Sequence, residues 1–376
     1  MTEAATRLDN FNPGPAVLPL PVLERIRDEL LDMNGTGISV LEMGHRSDAF
    51  GAIAAKAEHD LRSLLAIPDN YRVLFMQGGA TAQFSLAVQN LDHRGRVAFA
   101  NTGHWSAKAI DHASRLTEVS VVAELESVRE AGEQRLSVPD VSRWRIPEDA
   151  SFLHVTDNET IGGIVLDALP ELDDRDLPIV CDMSSSILSR PLDVSRYGLI
   201  YAGAQKNIGP AGLTLVIVRD DLLTRSAGKN HLPPVFDYEA IADAGSMLNT
   251  PPVFAWYVAG LVFEWLIEQG GLEAMAARNR RQSEALYALI DAEALYTNPV
   301  AARNRSWMNV PLTLPDASLT STFLAASVHA GMVGLKGHKS VGGVRVSLYN
   351  ALEDDALERL LAFMREFAEA NRNTPA

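Results

Sequence analysis

The chain has 376 residues, 47% hydrophobic and 22% charged, the balance of a globular protein and not of a disordered or repetitive one. Its 33 basic and 48 acidic residues leave a formal charge of −15, which argues against a nucleic-acid backbone or an anionic membrane surface as partner. The single cysteine, Cys181, excludes an internal disulfide framework and a multi-cysteine metal site, and fits a reducing cytoplasm.

At about 150 residues per domain, the length suggests two domains. Residues 1–10 carry Glu3 and Asp9 and no apolar core, so they do not read as a signal peptide. Helices are expected over 21–33 and 47–66, the second opened by Ser47-Asp48 as a cap, with a loop at Asn34-Gly35-Thr36-Gly37. From Tyr71 to Val218, short runs rich in Val, Ile and Phe alternate with longer mixed segments, the pattern of strands joined by helices in a mostly parallel sheet. Strands are expected at 71–76, 97–100, 118–123, 152–156, 178–182, 199–202 and 213–219. Ligands bind beyond the carboxyl ends of strands in such sheets, so the residues after each strand matter most.

Gln77-Gly78-Gly79-Ala80-Thr81 follows the first of them and leads into a helix expected over 80–90. Its glycines let the backbone approach a ligand, and free N–H groups at the helix start suit a phosphate; an ordinary strand-to-helix turn has the same composition. Nucleotide-loop spacings are missing. Gly103-His104-Trp105 puts a tryptophan at another helix start, where its ring either stacks on a flat cofactor or covers the core. Asn158-Glu159-Thr160 follows 152–156, and the Thr160 hydroxyl either contacts a ligand or caps a turn.

Asp182 ends the strand 178–182, and Lys206 lies in Tyr201-Ala202-Gly203-Ala204-Gln205-Lys206-Asn207-Ile208-Gly209-Pro210, small and loop-forming neighbours that a surface lysine rarely has. The pair points to pyridoxal phosphate. Lysine forms a Schiff base with the cofactor aldehyde, and an aspartate pairs with the protonated pyridine nitrogen. Taken singly, each has a plainer reading: a lysine with its head in water, and a strand-end cap.

Downstream, 252–269 and 271–290 read as long helices separated by Gly270-Gly271. The longest apolar run, 251–263, stops at Glu264, short of the roughly 20 residues a membrane span needs. Strands at 308–312 and 343–349 and helices at 318–330 and 354–371 suit a smaller α+β domain, with the boundary near Gly270. Three cationic groups stand out against the acidic background: His45-Arg46, His338-Lys339 and Arg345. Arg345, set among glycines, is suited to a fork on a carboxylate.

Together these segments resemble the phosphoserine aminotransferase family, in class V of the fold-type I pyridoxal-phosphate enzymes. The likeness covers nearly the whole chain, from Phe11-Asn12-Pro13-Gly14-Pro15 through Gly44-His45-Arg46, Asn158-Glu159-Thr160, Ser189-Arg190-Pro191 and residues 201–214 to Asn249-Thr250-Pro251-Pro252 and Gly342-Gly343-Val344-Arg345. The resemblance implies an α/β fold: a large cofactor domain, 17–269, on a mostly parallel seven-stranded sheet, and a small C-terminal α+β domain, 270–376, joined by the segment 1–16. It implies that Lys206 binds the cofactor and then carries the proton, that Asp182 holds the pyridinium, and that Trp105 stacks on the ring beside Thr160. Ala80, Thr81 and Gln205 would meet the cofactor phosphate, with Asn249 and Thr250 of the partner subunit in a homodimer. Arg345 would take the substrate carboxylate, and His338 and Lys339 the substrate phosphate, together with His45 and Arg46 of the partner subunit. No metal is implied.

The reaction so implied passes the amino group of L-glutamate to 3-phosphohydroxypyruvate, in serine biosynthesis, with the 4-phosphohydroxythreonine step of vitamin B6 synthesis as a second use. Two positions depart from the family pattern. Thr81 replaces an arginine of some relatives and Lys339 an arginine of many, which removes one cation and one bidentate fork. Another class V enzyme, such as an alanine–glyoxylate or serine–glyoxylate aminotransferase, would not need the His45, Arg46, His338 and Lys339 cluster. A cysteine desulfurase would need its cysteine on a mobile loop, whereas Cys181 is expected in a strand. A non-catalytic binding protein on the same fold would take up no cofactor.

Overall fold

The computed structural model describes residues 7–172, 176–224 and 232–371. All seven expected sheet strands join one sheet, in spatial order Tyr71–Gln77, Leu213–Arg219, Leu199–Gly203, Ile179–Asp182, Leu153–Thr156, Arg96–Asn101 and Glu118–Glu124. Only Leu213–Arg219 runs against its neighbours; the remaining pairs are parallel.

Apart from the edge strand Glu118–Glu124, the sheet is buried on both faces, which explains why its inner strands read as nearly continuous apolar runs. Along Leu199–Gly203, Leu199 and Tyr201 enter one core while Ile200 and Ala202 enter the other. Helices Asp48–Leu65 and Val253–Glu268 close one face, and Ala80–Leu91 and His104–Ala113 the other. Val253–Glu268 is apolar around most of its surface and is buried from Ala255 to Leu266 save for Gly260 and Glu264. A helix of that composition belongs between layers, and Trp256 accordingly stacks on Phe75 of the sheet at 4.2 Å. The expected cap is present, with Ser47 Oγ accepting from the Phe50 N–H at 3.3 Å. Among the described residues no helix is long and apolar enough to cross a membrane.

A separate core lies under the antiparallel pair Asn309–Leu312 and Val344–Ser347. Helices Ala317–His329 and Asp354–Ala370 cover it. Phe11 is buried in it, next to the strand Asp9–Asn10 that pairs with Met332–Val333. The chain passes from one core to the other within Gly271–Ala292, whose Leu272 and Met275 belong to the large core and whose Leu286 and Ile290 belong to the small one.

The helix expected over 21–33 ends at Glu29, because Asp32 accepts from the Gly37 N–H at 2.7 Å and Asn34 and Gly35 take φ of 52° and 75°, folding the segment into a loop. A hairpin, Glu126–Glu130 with Glu133–Ser137, was not expected. Its strands are mostly charged and polar, with one apolar residue each, Val128 and Leu136, so hydrophobicity gives no signal. The clue was the two-residue turn Ala131-Gly132, with φ of 49° and 87°.

Candidate active site

Because six of the seven strands run the same way, their carboxyl ends share one edge of the sheet, and segments far apart in sequence meet there. A cavity of about 280 Å³ opens at that edge. Ala80 and Thr81 reach it after the first strand, Trp105 after Arg96–Asn101, Thr160 after Leu153–Thr156, and Gln205 and Lys206 after Leu199–Gly203. Asp182 lines it from the last position of its own strand, and His338 and Arg345 close it from the small body. His45, Arg46, Asn249, Thr250 and Lys339 do not line it. Thr250 is exposed, with its carbonyl accepting from Gln77 Nε2 at 2.6 Å, so the 249–250 segment lies on the outer surface beside the glycine turn. A roomier groove of about 560 Å³ runs between residues 7–27 and 351–359, but it holds neither a lysine nor a glycine turn. Chemistry, not volume, marks the smaller cavity.

Lys206 is the one buried lysine among the described residues. Its Nζ donates to Thr160 Oγ1 at 2.7 Å and lies 5.9 Å from the centre of the Trp105 ring. Burial makes its ammonium form costly and lowers the pKa to about 8, against the opposing pull of Asp182 and Glu159 and with help from the Arg345 charge. An amine near its pKa at neutral pH is both a usable nucleophile and a usable proton carrier. Asp182 accepts from the Ser184 N–H at 2.9 Å. Burial raises its carboxyl above the ordinary range, and the Ser184 hydrogen bonds and the Lys206 charge work against that rise. A cationic partner at this carboxylate would relieve the same cost.

Glu159, which the sequence quoted without a role, is fully buried and takes three hydrogen bonds. The Trp105 N–H donates to it at 2.9 Å, and the Ser106 N–H and hydroxyl each at 2.8 Å. It therefore caps the helix that carries Trp105 from across the site. Gly103 makes room for it, since a Cβ there would stand 2.7 Å from Glu159 Cδ. Burial raises its carboxyl, and these donors pull it back down. Nothing in the sequence ties Glu159 to Gly103, because only the fold brings them together. Replacing Glu159 with Gln leaves one of these donors facing an amide N–H, which destabilises the holoenzyme by about 2 kcal/mol. Thermal unfolding measures this, and a drop in Tm below about 2 °C contradicts the capping role.

These residues fit pyridoxal phosphate. Thr156 Oγ1, Asn158 Oδ1, Trp105 Nε1 and Arg345 Nε are buried at the cavity without partners, which implies a polar guest. Helix Ala80–Leu91 begins at Gly79 with no side-chain cap, so its first N–H groups are available to an anion. Gly203 keeps the cradle open, since a Cβ there would fall 2.8 Å from Gln205 Oε1 and 3.5 Å from the Ala80 nitrogen. Arg345 is buried, and its Nη1 reaches only the Thr160 carbonyl, at 3.3 Å. Among the described residues it forms no ion pair, so its guanidinium awaits an anion. Near the mouth, the rings of His104 and His338 lie 5.3 Å apart.

Residues 9–360 match the family described as aminotransferase class-V. The chain belongs to that family, whose fold and site are those of pyridoxal-phosphate enzymes. Within it, the chain is similar to phosphoserine aminotransferases. That of Azotobacter vinelandii is 54% identical over 96% of this chain and 98% of its own length. The solved phosphoserine aminotransferase from Bacillus circulans subsp. alkalophilus is 40% identical, with a TM-score of 0.91 over 97% of this chain and 99% of that one. A pyridoxal-phosphate-bound phosphoserine aminotransferase from Trichomonas vaginalis is 37% identical, with a TM-score of 0.89 over 96% and 100%.

Proposed function

We propose that the chain is a phosphoserine transaminase, moving the amino group of L-glutamate to 3-phosphohydroxypyruvate to give O-phospho-L-serine and 2-oxoglutarate. The observation that carries the proposal is the pairing of a buried, low-pKa lysine with a buried arginine that has no carboxylate partner among the described residues. Near-full-length similarity to phosphoserine aminotransferases supports the particular substrates.

Pyridoxal phosphate, when bound, supplies an electron sink for the bond pair released as the amino acid's Cα loses its proton. Lys206 Nζ is the attachment point and then the base and acid that lifts this proton and returns it. Asp182 holds the ring nitrogen in its protonated form, and Thr160 and Trp105 keep the ring in place. Amides at Ala80 and Thr81, with Gln205, hold the cofactor phosphate, joined by Asn249 and Thr250 of the partner subunit. Arg345 takes the carboxylate common to both substrates. His338 and Lys339 take the distal anionic group, with His45 and Arg46 of the partner subunit. Division into a cofactor body, 17–269, and a smaller body, 270–376 with 1–16, allows the second to close on substrate. A homodimer in the cytoplasm completes the proposal, since His45 and Arg46 lie outside the cavity of their own chain.

The test is a coupled assay with glutamate and either 3-phosphohydroxypyruvate or unphosphorylated keto acids. A preference of at least about 100-fold in kcat/KM for the phosphorylated acid is expected, since a site built for an anion leaves its cations unpaired without one. Equal use of glyoxylate would favour a glyoxylate aminotransferase instead.

Lys206 also sets a pH dependence. With its folded pKa near 8, the neutral amine predominates only above that value. Once the cofactor is removed, the rate of covalent recapture should rise with pH to a plateau above about 8. A midpoint near the ordinary lysine value of about 10.4 would contradict the burial effect.

A further inference from the structure

We propose that His104 is a specificity-determining residue which, with His338 and Lys108, recognises the phosphate group of the substrate; this rests on the phosphoserine reading above. His104 opens helix His104–Ala113, immediately before Trp105, which lines the cavity. Its ring stands edge-on to Trp105 at 5.4 Å and reaches 5.3 Å from the ring of His338, a cavity residue from the small body. Lys108, one helical turn on, places its amine 5.9 Å from the centre of the same Trp105 ring. His104 and Lys108 thus flank the indole of Trp105 just behind the cavity wall, and His104 bridges from it to His338, which lines the cavity.

The charges acting on His104 are those of His338 and Lys108, and with burial, the largest cause, they lower its pKa. Among the described residues no carboxylate offsets them. Protonating His104 beside that imidazole and ammonium is therefore costly unless an anion sits among them, and a bound anion would favour the protonated ring. His338 is arranged for that guest: Ser340 engages its Nδ1, through Oγ at 2.7 Å and the N–H at 3.3 Å, so Nε2 is the ring nitrogen left to meet a ligand. A phosphate monoester carries up to two charges and three acceptor oxygens, so it gains more from such a cluster than a carboxylate does. Thr81 supplies no charge, and Lys339 and Lys108 are both exposed outside the cavity lining, whereas His104 is half-buried against two residues that line it. His104 provides a donor from within the same chain.

The test compares holoenzyme carrying His104→Gln or His104→Lys with the unaltered holoenzyme, reading kcat/KM for 3-phosphohydroxypyruvate and for glutamate. His104→Gln should lower kcat/KM for the phosphorylated acid about tenfold, mostly through KM, and that for glutamate less than about threefold. His104→Lys, which restores a cation but not the ring, should recover at least about half of the lost specificity. The proposal is overturned if His104→Gln leaves the phosphorylated acid within about twofold of the original. It is equally overturned if both variants weaken both substrates alike, the pattern of a ring that only packs on Trp105. An unaltered holoenzyme with no preference for phosphorylated keto acids would overturn the functional reading itself, and is distinguished because it shows before any variant is made.

Discussion

Replacing Lys206 with Ala lowers turnover at least about 1,000-fold, at saturating as well as limiting substrate, because one amine serves as attachment point, base and acid. The site holds no substitute, as Lys206 is the only buried lysine among the described residues, and Lys108, though 5.9 Å from the centre of the Trp105 ring, is exposed and does not line the cavity. Added ammonia or small amines should restore a little of the rate, since they replace the proton carrier without its placement. The fold should survive: truncation removes a buried amine whose charged form is costly, and leaves Thr160 Oγ1 short of one donor. Steady-state and single-turnover kinetics on the purified variant measure the loss. Turnover within tenfold of the original would refute the role given to Lys206.

Asp182→Asn is the second large effect, and it separates activity from stability. The amide keeps the shape and can still accept from the Ser184 N–H. It cannot be an anion, so it cannot hold a proton on the ring nitrogen, and kcat should fall about 100-fold or more with KM little changed. Without cofactor, the same substitution removes a buried carboxylate whose pKa is raised by burial, so the unloaded variant should melt no lower than the original protein. Calorimetry with and without cofactor, beside kinetics, checks both halves. A large loss of Tm in the unloaded variant would mean that Asp182 is structural.

The sequence showed the sheet because its inner strands are buried on both faces and so read as nearly unbroken apolar runs, while the edge strand Glu118–Glu124 was marked by its valines alone. Lys206 and Asp182 were legible for a related reason: a charged residue at the end of an apolar strand, or among glycines and alanines, has no ordinary surface explanation. The hairpin at 126–137 was not legible, since its strands are mostly charged and polar and carry no apolar face. Glu159 and His104 were hidden differently. Each is unremarkable beside its sequence neighbours, and its meaning depends on a contact with a distant segment: Glu159 with the start of the Trp105 helix, His104 with His338. Sequence periodicity reports which face of an element is buried, and not which elements share an edge. Arg345 lay between these cases. Its glycine-rich surroundings marked it, but only the fold shows a buried guanidinium held by one carbonyl and no carboxylate.

The covalent link at position 206 is tested most directly by reducing the holoenzyme with borohydride and mapping the labelled peptide. The whole label is expected on the peptide carrying Lys206, with Lys206→Ala taking up none. Label on any other lysine, or none at all, would contradict the site.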